Sequence, residues 1–187
     1  SGLVGYADDF VVCFKSKEDA EVFYECLKRR MKHFGLELEE EKSRLIEFGR
    51  FAQERANKRG TKAETFTFLG FTHYCSVSKN GKYQVKRKTS SKKFSKKCRE
   101  VRKLIKNMRT ESLETITEKL NLILVGYYHY YGINGNRKCT RDFRREVEKS
   151  LFHWLNRRSQ KKSYTWKAFN EMMKVYPLAK PKTYVII

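Results

Sequence analysis

The sequence predicts an α+β fold in which a β-hairpin, a helix and further strands precede a helical bundle. Strand-forming residues and turn signals occupy most of the first 88 positions, whereas from residue 89 the apolar residues recur at intervals of three and four. The 187-residue chain is 40% hydrophobic and 14% aromatic, which is enough to build a buried core despite its high charge.

The charge of the chain lies in its second half. The protein has 42 Lys and Arg against 21 Asp and Glu, a net charge of +21. Residues 1–75 hold 13 basic and 13 acidic residues, so the whole excess falls in residues 76–187. A segment with this excess of positive charge favours a polyanionic partner. Nucleic acid is a better candidate than a membrane surface, because the aromatic residues of this segment follow the patterns of packed helices and not of one amphipathic anchor.

The composition argues against several classes of protein. The sequence has no run of about 18 apolar residues, so we expect no membrane-spanning helix. Residues 1–7 lack the basic flank and the apolar stretch of a signal peptide. Five cysteines without a Cys-x-x-Cys pair and four histidines without zinc-ligand spacing argue against a disulfide scaffold or a zinc site. We therefore expect a cytoplasmic protein.

The first half is predicted to combine strands with one helix. Residues 3–6 and 10–14 are strands of a hairpin that turns at residues 7–9. Ser16 is placed to cap a helix that ends at Gly35, with an apolar stripe of Ala20, Phe23, Leu27, Met31 and Phe34. Residues 44–48 and 65–74 are predicted strands, the second bulged at Gly70, and residues 49–62 a mobile loop. Residues 76–88 form a predicted hairpin that turns at Asn80-Gly81.

Four helices are predicted after residue 89. The first carries the apolar stripe Phe94, Cys98, Val101, Ile105 and Met108. The others span about residues 112–131, 140–158 and 166–173, and an irregular tail follows Pro177. The second is apolar on most sides from residue 122 to residue 133, so we expect it to lie at the centre of the bundle.

The first of these helices also has a basic stripe, placed two positions before the apolar one. Two positions are about 200° of helix rotation, so the two stripes lie on opposite faces. Only Glu100 interrupts the basic residues, and we interpret the face as one that contacts phosphates rather than only water. The basic stripe consists of Lys92, Lys96, Arg99, Lys103 and Lys106.

The most specific chemical feature is the tetrapeptide Tyr6-Ala7-Asp8-Asp9. Adjacent carboxylates in the turn of an apolar hairpin repel each other and lose hydration, a conflict that a divalent cation resolves. Mg²⁺ prefers few carboxylates together with waters and substrate phosphates, and paired ions of this kind support phosphoryl transfer. Taken alone, the tetrapeptide is equally compatible with an ordinary polar turn.

The motifs around this turn resemble those of reverse transcriptases. The tetrapeptide matches the active-site signature of that family, residues 35–38 with Lys42 are similar to its next block, and Phe68-Leu69-Gly70-Phe71 is similar to its primer-grip block. Other stretches resemble bacterial group II intron-encoded proteins in particular. These are residues 44–52, 64–73, 129–132 with Gly135-Asn136, 143–147, and Arg157-Arg158-Ser159-Gln160.

The resemblance covers nearly the whole chain and implies three parts. Residues 1–75 correspond to the C-terminal part of a polymerase palm, residues 76–88 to a connecting hairpin, and residues 89–187 to a helical thumb or maturase domain. The implied activities are RNA-directed DNA polymerisation with Mg²⁺ and assistance to the folding and splicing of a group II intron RNA. The implied partners are that RNA, an RNA/DNA template-primer and deoxynucleoside triphosphates.

The resemblance also assigns roles to single residues. Asp8 and Asp9 are implied to be catalytic metal ligands, and Lys42 to lie near the triphosphate, although by its surroundings alone Lys42 is a solvated lysine after the acidic run 39–41. The nucleotide- and primer-binding residues are implied to be Tyr6, Ala7, Lys42, Phe68, Leu69 and Gly70. The RNA-binding residues are the basic stripe together with Arg144, Arg145, Arg157 and Arg158.

The sequence departs from the family pattern at its beginning. Gly5 stands where the family often has a basic residue, and the third catalytic aspartate, the fingers and the early palm blocks of the family precede the tyrosine, where this sequence has five residues. We therefore expect that an N-terminal palm and fingers part is missing and that this chain does not polymerise alone.

Two alternatives stay open. One is a non-enzymatic RNA-binding splicing factor that keeps the fold, against which the intact pair of Asp8 and Asp9 argues. The other is a different palm enzyme, such as a nucleotide cyclase, which the basic helical half does not suit.

Overall fold

The computed structural model describes residues 2–40, 42–158 and 164–186. Within these ranges the fold is α+β, as predicted, with six helices and two small sheets. The chain divides into two compact units, Ser1–Lys86 and Arg87–Ile187. Each described helix is too short or too polar to cross a lipid bilayer.

The first unit opens with the predicted hairpin and helix. Strands β1 (Gly2–Tyr6) and β2 (Asp9–Cys13) pair antiparallel with Tyr6 opposite Asp9, so the turn consists of Ala7 and Asp8. Helix α1 (Lys17–His33) begins where the Ser16 hydroxyl accepts the Asp19 amide at 3.1 Å. It ends before Gly35, whose φ of +68° suits glycine. None of the residues of α1 is fully buried.

The second sheet has the strand order β3–β4–β5, formed by β3 (Phe66–Phe68), β4 (Phe71–Val77) and β5 (Tyr83–Thr89). The turn predicted at Asn80-Gly81 lies between β4 and β5, and the φ of Gly81 is +74°. This part of the prediction is confirmed.

The bulged strand predicted over residues 65–74 is instead a hairpin. Phe68 pairs with Phe71, which leaves Leu69 and Gly70 as a two-residue turn. The φ angles of these two residues are +47° and +76°, and two positive values in succession define a type I′ turn, which matches the twist of the strands it joins. The glycine therefore marks a chain reversal, and the predicted bulge is wrong.

Residues 44–48, predicted as a strand, join neither sheet. The backbone amide of Glu47 donates to Glu64 Oε2 at 2.8 Å, and the Arg44 guanidinium donates to the Thr65 carbonyl at 3.2 Å. The Glu64 side chain thus satisfies an amide that a neighbouring strand would otherwise satisfy. The predicted strand is therefore wrong.

The loop predicted at residues 49–62 contains helix α2 (Ala52–Lys58). Ala52 and Ala56 are four residues apart and buried, and α2 lies against β4. On the exposed side, Lys58 pairs with Glu54 at 2.8 Å. The prediction is wrong because the buried face of this helix is made of alanines, so no stripe of large apolar residues marks it.

The second unit is a helical bundle. Its described helices are α3 (Ser91–Asn107), α4 (Leu113–Tyr131), α5 (Arg137–Leu155) and α6 (Trp166–Val175). The hydroxyls of Ser90, Ser112 and Thr165 cap α3, α4 and α6. The largest side chains of its core that are under 2% exposed include Ile105, Ile116, Leu120, Leu124, Tyr128, Phe143, Leu151, Leu155 and Phe169.

Helix α4 supplies much of this core from one side only. Leu124 and Tyr128 are buried, whereas Leu122 is 77% exposed and Val125 is 38% exposed. Residues 122 and 125 are three apart and share a helix face that points away from the core. The expectation that this stretch is enclosed on most sides is therefore wrong for that face.

The tail after Pro177 is irregular, as predicted, but side chains of α4 fasten it. The Asn121 amide donates to the Pro177 carbonyl at 3.0 Å and accepts the Ala179 amide at 2.7 Å. The Tyr128 hydroxyl donates to the Ala179 carbonyl at 3.1 Å. Leu178, between these anchors, is only 3% exposed, so the tail completes the core.

Candidate active site and nucleic-acid interface

The hairpin of β1 and β2 holds two carboxylates side by side at a strained turn. The φ of Ala7 is +52°, while that of Asp8 is not positive, the pattern of a type II′ turn whose first central residue is usually glycine. An alanine in this left-handed region costs roughly 1–2 kcal/mol. Strain of this kind is kept where the surrounding structure imposes it, and it clusters at functional sites.

The side chains at this turn are open to solvent. Asp8 and Asp9 are both exposed, and Tyr6 is 66% exposed. Carboxylate oxygens suit a hard divalent cation, and Mg²⁺ is commonly held by one or two carboxylates plus water and substrate phosphate. In the described parts of the chain, no cluster of three His, Cys, Asp or Glu side chains could hold a metal ion. Two carboxylates by themselves would leave most coordination positions of such an ion to water and substrate.

Lys42 lies within electrostatic reach of the two carboxylates. Its ammonium is 2.5 Å from Glu39 Oε2, and this hydrogen bond raises the pKa of Lys42, with smaller contributions from the charges of Asp9 and Asp8. Lys42 is thus both an exposed lysine paired with the preceding acidic run and a cation near the turn. The last member of that acidic run, Glu41, lies outside the described residues.

The turn at Leu69-Gly70 belongs to the same unit as the carboxylates. Strand β3 leads into the Leu69-Gly70 turn. It lies against β2, the strand that follows the Ala7-Asp8 turn. At the base of β3, the Phe66 ring stacks on His73 with 4.7 Å between ring centroids and meets Phe48 edge-on at 5.0 Å. Aromatic packing therefore supports the hairpin that carries Phe68, Leu69 and Gly70.

The basic stripe of α3 is exposed along its length, opposite the buried Val101 and Ile105. Among the described residues none of its five members forms an ion pair, whereas the neighbouring Glu100 pairs with Lys97 at 3.5 Å. A row of cations without carboxylate partners offers its full charge to an anion in solution. This charge is the main electrostatic feature of α3.

The two predicted RNA-binding arginines within α5 differ in their surroundings. The Arg144 guanidinium is 2.8 Å from Glu148 Oε1, and its side chain is 30% exposed. Arg145 is exposed and has no ion-pair partner among the residues the structure describes. Arg144 therefore forms an ion pair within α5, whereas Arg145 is better placed to contact an external phosphate.

Trp154 joins the basic stripe to the C-terminal end of α5. Lys106 Nζ lies 5.6 Å from the Trp154 ring centroid, and Arg157 Cζ lies 5.8 Å from it. Sequence reasoning missed this junction, because no local pattern relates Trp154 to the basic stripe. Lys106 of the stripe and Arg157, which the sequence presents as separate candidates, therefore meet at one ring.

Arg158, which follows the end of α5, is exposed but is held by the backbone of a neighbouring connection. Its guanidinium donates to the Glu111 carbonyl at 2.8 Å, so it fixes the connection between α3 and α4. Ser159 and Gln160, the rest of the sequence motif that contains Arg158, lie outside the described residues.

Sequence reasoning also missed a buried polar link that positions α3. Asn136, only 1% exposed, accepts the Thr89 amide and donates to the Thr89 hydroxyl, both at 2.9 Å. Asn136 also donates to the Tyr131 carbonyl at 2.9 Å. The link ties the start of α3 to the turn between α4 and α5. In the sequence, Asn136 looks like an ordinary turn residue.

Two different protein-family models match the two halves of the chain. The family model described as reverse transcriptase (RNA-dependent DNA polymerase) matches residues 1–73, and the model for the group II intron maturase-specific domain matches residues 91–172. A search of curated proteins gave no match. The two matches follow each other along the chain and cover most of it, and they confirm the resemblance found in the sequence. The chain therefore combines a reverse transcriptase region with a group II intron maturase-specific region.

Proposed function

We propose that this chain supplies the metal-binding turn and the RNA-binding bundle of an RNA-directed DNA polymerase that also acts as a group II intron maturase. Residues 1–75 form the C-terminal part of its palm, residues 76–88 a connecting hairpin, and residues 89–187 its thumb or maturase domain. The observation that carries the proposal is the exposed pair Asp8 and Asp9 on a strained hairpin turn, within the reverse transcriptase match.

In this proposal the two carboxylates act as ligands of Mg²⁺. The bound ion supplies positive charge to the phosphates during phosphoryl transfer. Asp8, in the two-residue turn, and Asp9, at the start of β2, would hold it at the tip of the hairpin. Lys42 keeps its proton at neutral pH and attracts the triphosphate of the incoming deoxynucleotide. Tyr6 and Ala7, with the Phe68–Gly70 turn, border the primer terminus.

The exposed apolar surface of the first unit supports the proposal that a further palm segment covers it. Leu3 is 70% exposed, Val4 60% and Phe34 64%, and α1 has no fully buried residue. Exposed apolar side chains in such number mark an interaction surface. We propose that the family's N-terminal palm and fingers part packs here and provides a third carboxylate.

The second unit binds RNA in this proposal. The basic stripe with Arg145 and Arg157 contacts the phosphates of the intron RNA and of the template-primer duplex. Because such contacts release counterions, the affinity should fall steeply as salt concentration rises.

Primer extension on an RNA template tests the proposal. We expect no extension by this chain alone, extension once the N-terminal palm part is added, and loss of that extension on Asp8→Ala. Asp19→Ala is the matched control, since it removes an exposed aspartate from the same unit. Extension that survives Asp8→Ala would contradict the role of the turn. RNA binding without any extension by the completed protein would favour the non-enzymatic splicing factor.

A further inference from the structure

The second unit has a groove with a basic lining, formed by residues that do not belong to the basic stripe. It lies where the C-terminal tail passes the turn between α4 and α5 and has a volume of about 360 Å³. Two cations, an amide and a hydroxyl form its polar lining, and none of the described residues that line it is acidic. The lining residues are Asn134, Arg137, Pro181, Lys182, Thr183 and Ile186.

Close contact at Gly132 builds this groove. A Cβ atom at Gly132 would overlap the carbonyl oxygens of Tyr128 and Lys182, so only glycine lets the tail approach α4 here. The Tyr184 amide donates to the Gly132 carbonyl at 2.7 Å, and the Asn134 amide donates to the Val185 carbonyl at 3.0 Å. These bonds hold the tail, and with it Lys182, against the start of α5.

The two cations of the groove are not neutralised by the protein. Among the described residues neither Arg137 nor Lys182 forms an ion pair, and the Lys182 ammonium lies 5.5 Å from the centroid of the Tyr184 ring. Arg137 stands in the first turn of α5, which has no acidic residue, although a cation is unfavourable at that end of a helix. A bound anion would relieve this conflict.

An exposed aromatic ring lies next to Lys182 of this groove. Tyr184 is 41% exposed, and its ring lies 4.2 Å from the exposed His129 ring, centroid to centroid. The ring is thus flanked by the His129 ring and by the mobile end of the exposed Lys182 side chain, and a base can stack on it where the ammonium turns to a phosphate. Proteins bind unpaired nucleic acid by combining cations, which contact the phosphates, with exposed aromatic rings, on which any base can stack. Arg137, Lys182 and Tyr184 provide this combination.

We propose that this groove binds an unpaired segment of RNA, with a phosphodiester at Arg137 and Lys182 and an adjacent base stacked on Tyr184. The inference rests on the proposed function to the extent that RNA is the partner of this unit. Duplex RNA fits the groove less well, because its bases are already stacked on one another and do not reach Tyr184.

RNA-binding isotherms of the full chain test the two cations. The probes are an unstructured single-stranded RNA and a duplex RNA of the same length. We expect Arg137→Ala with Lys182→Ala to weaken single-strand binding at least fivefold and to lower the salt slope by about 0.7 for the lost phosphate contact. The control is Lys138→Ala with Lys180→Ala, two exposed lysines adjacent to the groove residues that do not line the groove. An equal loss in the control would overturn the assignment.

The aromatic contact has its own test. Tyr184→Leu should weaken single-strand binding about fivefold or more, Tyr184→Phe should keep it, and duplex binding should change less than twofold in both. Equal binding by the Leu and Phe variants, with melting temperatures unchanged, would remove the base from the proposal. Absence of RNA binding by the unsubstituted chain would contradict the proposed function itself, whereas binding that no groove variant alters would contradict the groove alone.

Discussion

The side chain of Asn136 forms two hydrogen bonds, each 2.9 Å long, with Thr89, which lies 47 positions earlier in the chain. In one bond the Asn136 side-chain oxygen accepts the backbone amide of Thr89, the last residue of β5, and in the other the Asn136 side-chain nitrogen donates to the Thr89 hydroxyl. Both residues are at most 3% exposed, so neither group can turn to water instead. The orientation of the basic stripe therefore depends on a pair of buried polar residues.

Loss of this link should destabilise the second unit. Asn136→Ala leaves the buried Thr89 amide without its partner and removes the hydrogen bonds to the Thr89 hydroxyl and the Tyr131 carbonyl, and we expect a cost of about 2–4 kcal/mol in the free energy of unfolding. Urea unfolding followed by tryptophan fluorescence measures it, because both tryptophans, Trp154 and Trp166, lie in this unit. Asn134→Ala, an exposed neighbour in the same turn, should cost less than about 0.5 kcal/mol.

The basic stripe should govern RNA affinity without governing stability. Lys96→Ala with Arg99→Ala should weaken RNA binding and reduce the salt slope by about one for each lost phosphate contact. The melting temperature should stay nearly constant because both side chains are exposed. Lys119→Ala with Lys174→Ala removes the same charge from lysines paired with Glu111 and Glu171, so it should weaken binding less. Equal losses in both double variants would mean that RNA senses only net charge.

The opposite face of α3 should show the reverse behaviour. Ile105 is 1% exposed, and Ile105→Ala should cost roughly 2–5 kcal/mol by opening a cavity in the core. RNA affinity, measured below the new melting temperature, should change little. Leu122→Ala, at a site that is 77% exposed, is the control for stability. A loss of affinity with unchanged stability in the Ile105 variant would place RNA on that face.

Alkaline pH should weaken the bundle through Tyr127. Burial raises the pKa of the Tyr127 phenol far above its ordinary value of 10.0. A group with a raised pKa in the folded state contributes its stability fully below the unfolded pKa and loses it as the pH rises above that value. Unfolding free energies should therefore fall above pH 10, and less steeply for Tyr127→Phe. Tyr130→Phe, at a ring that is 54% exposed, should keep the steeper fall.

The parts of the fold that the sequence predicted are those set by local chemistry. Helix α1 begins after Ser16 and ends before Gly35, and the chain turns at Asn80-Gly81 between β4 and β5. The spacing of apolar residues in α3 correctly predicts which face of that helix is buried. Each signal acts within a few residues, so it can be recognised without knowledge of the tertiary structure.

The parts that were missed depend on contacts distant in sequence. The Glu64 carboxylate takes the amide of Glu47 and prevents a strand there, and Ala52 and Ala56 become a helix face only when packed. The candidate site behaves in the same way. The tetrapeptide at residues 6–9 can be recognised in the sequence as a candidate metal-binding turn, whereas the junction at Trp154 and the groove at Arg137 form only in the packed bundle.

The central claim is that the first unit provides the metal-binding pair and the second unit binds RNA. Its most direct test measures primer extension and RNA binding together for the Asp9→Asn variant, in the protein completed with its N-terminal palm part. This change removes one carboxylate charge from the turn while keeping the size of the side chain and leaves the second unit untouched. We expect extension on an RNA template to fall at least about a hundredfold, a loss of more than about 2.7 kcal/mol of transition-state stabilisation, with RNA affinity unchanged within about twofold. Extension at the unsubstituted rate would contradict the assignment of Asp8 and Asp9 as the metal-binding pair.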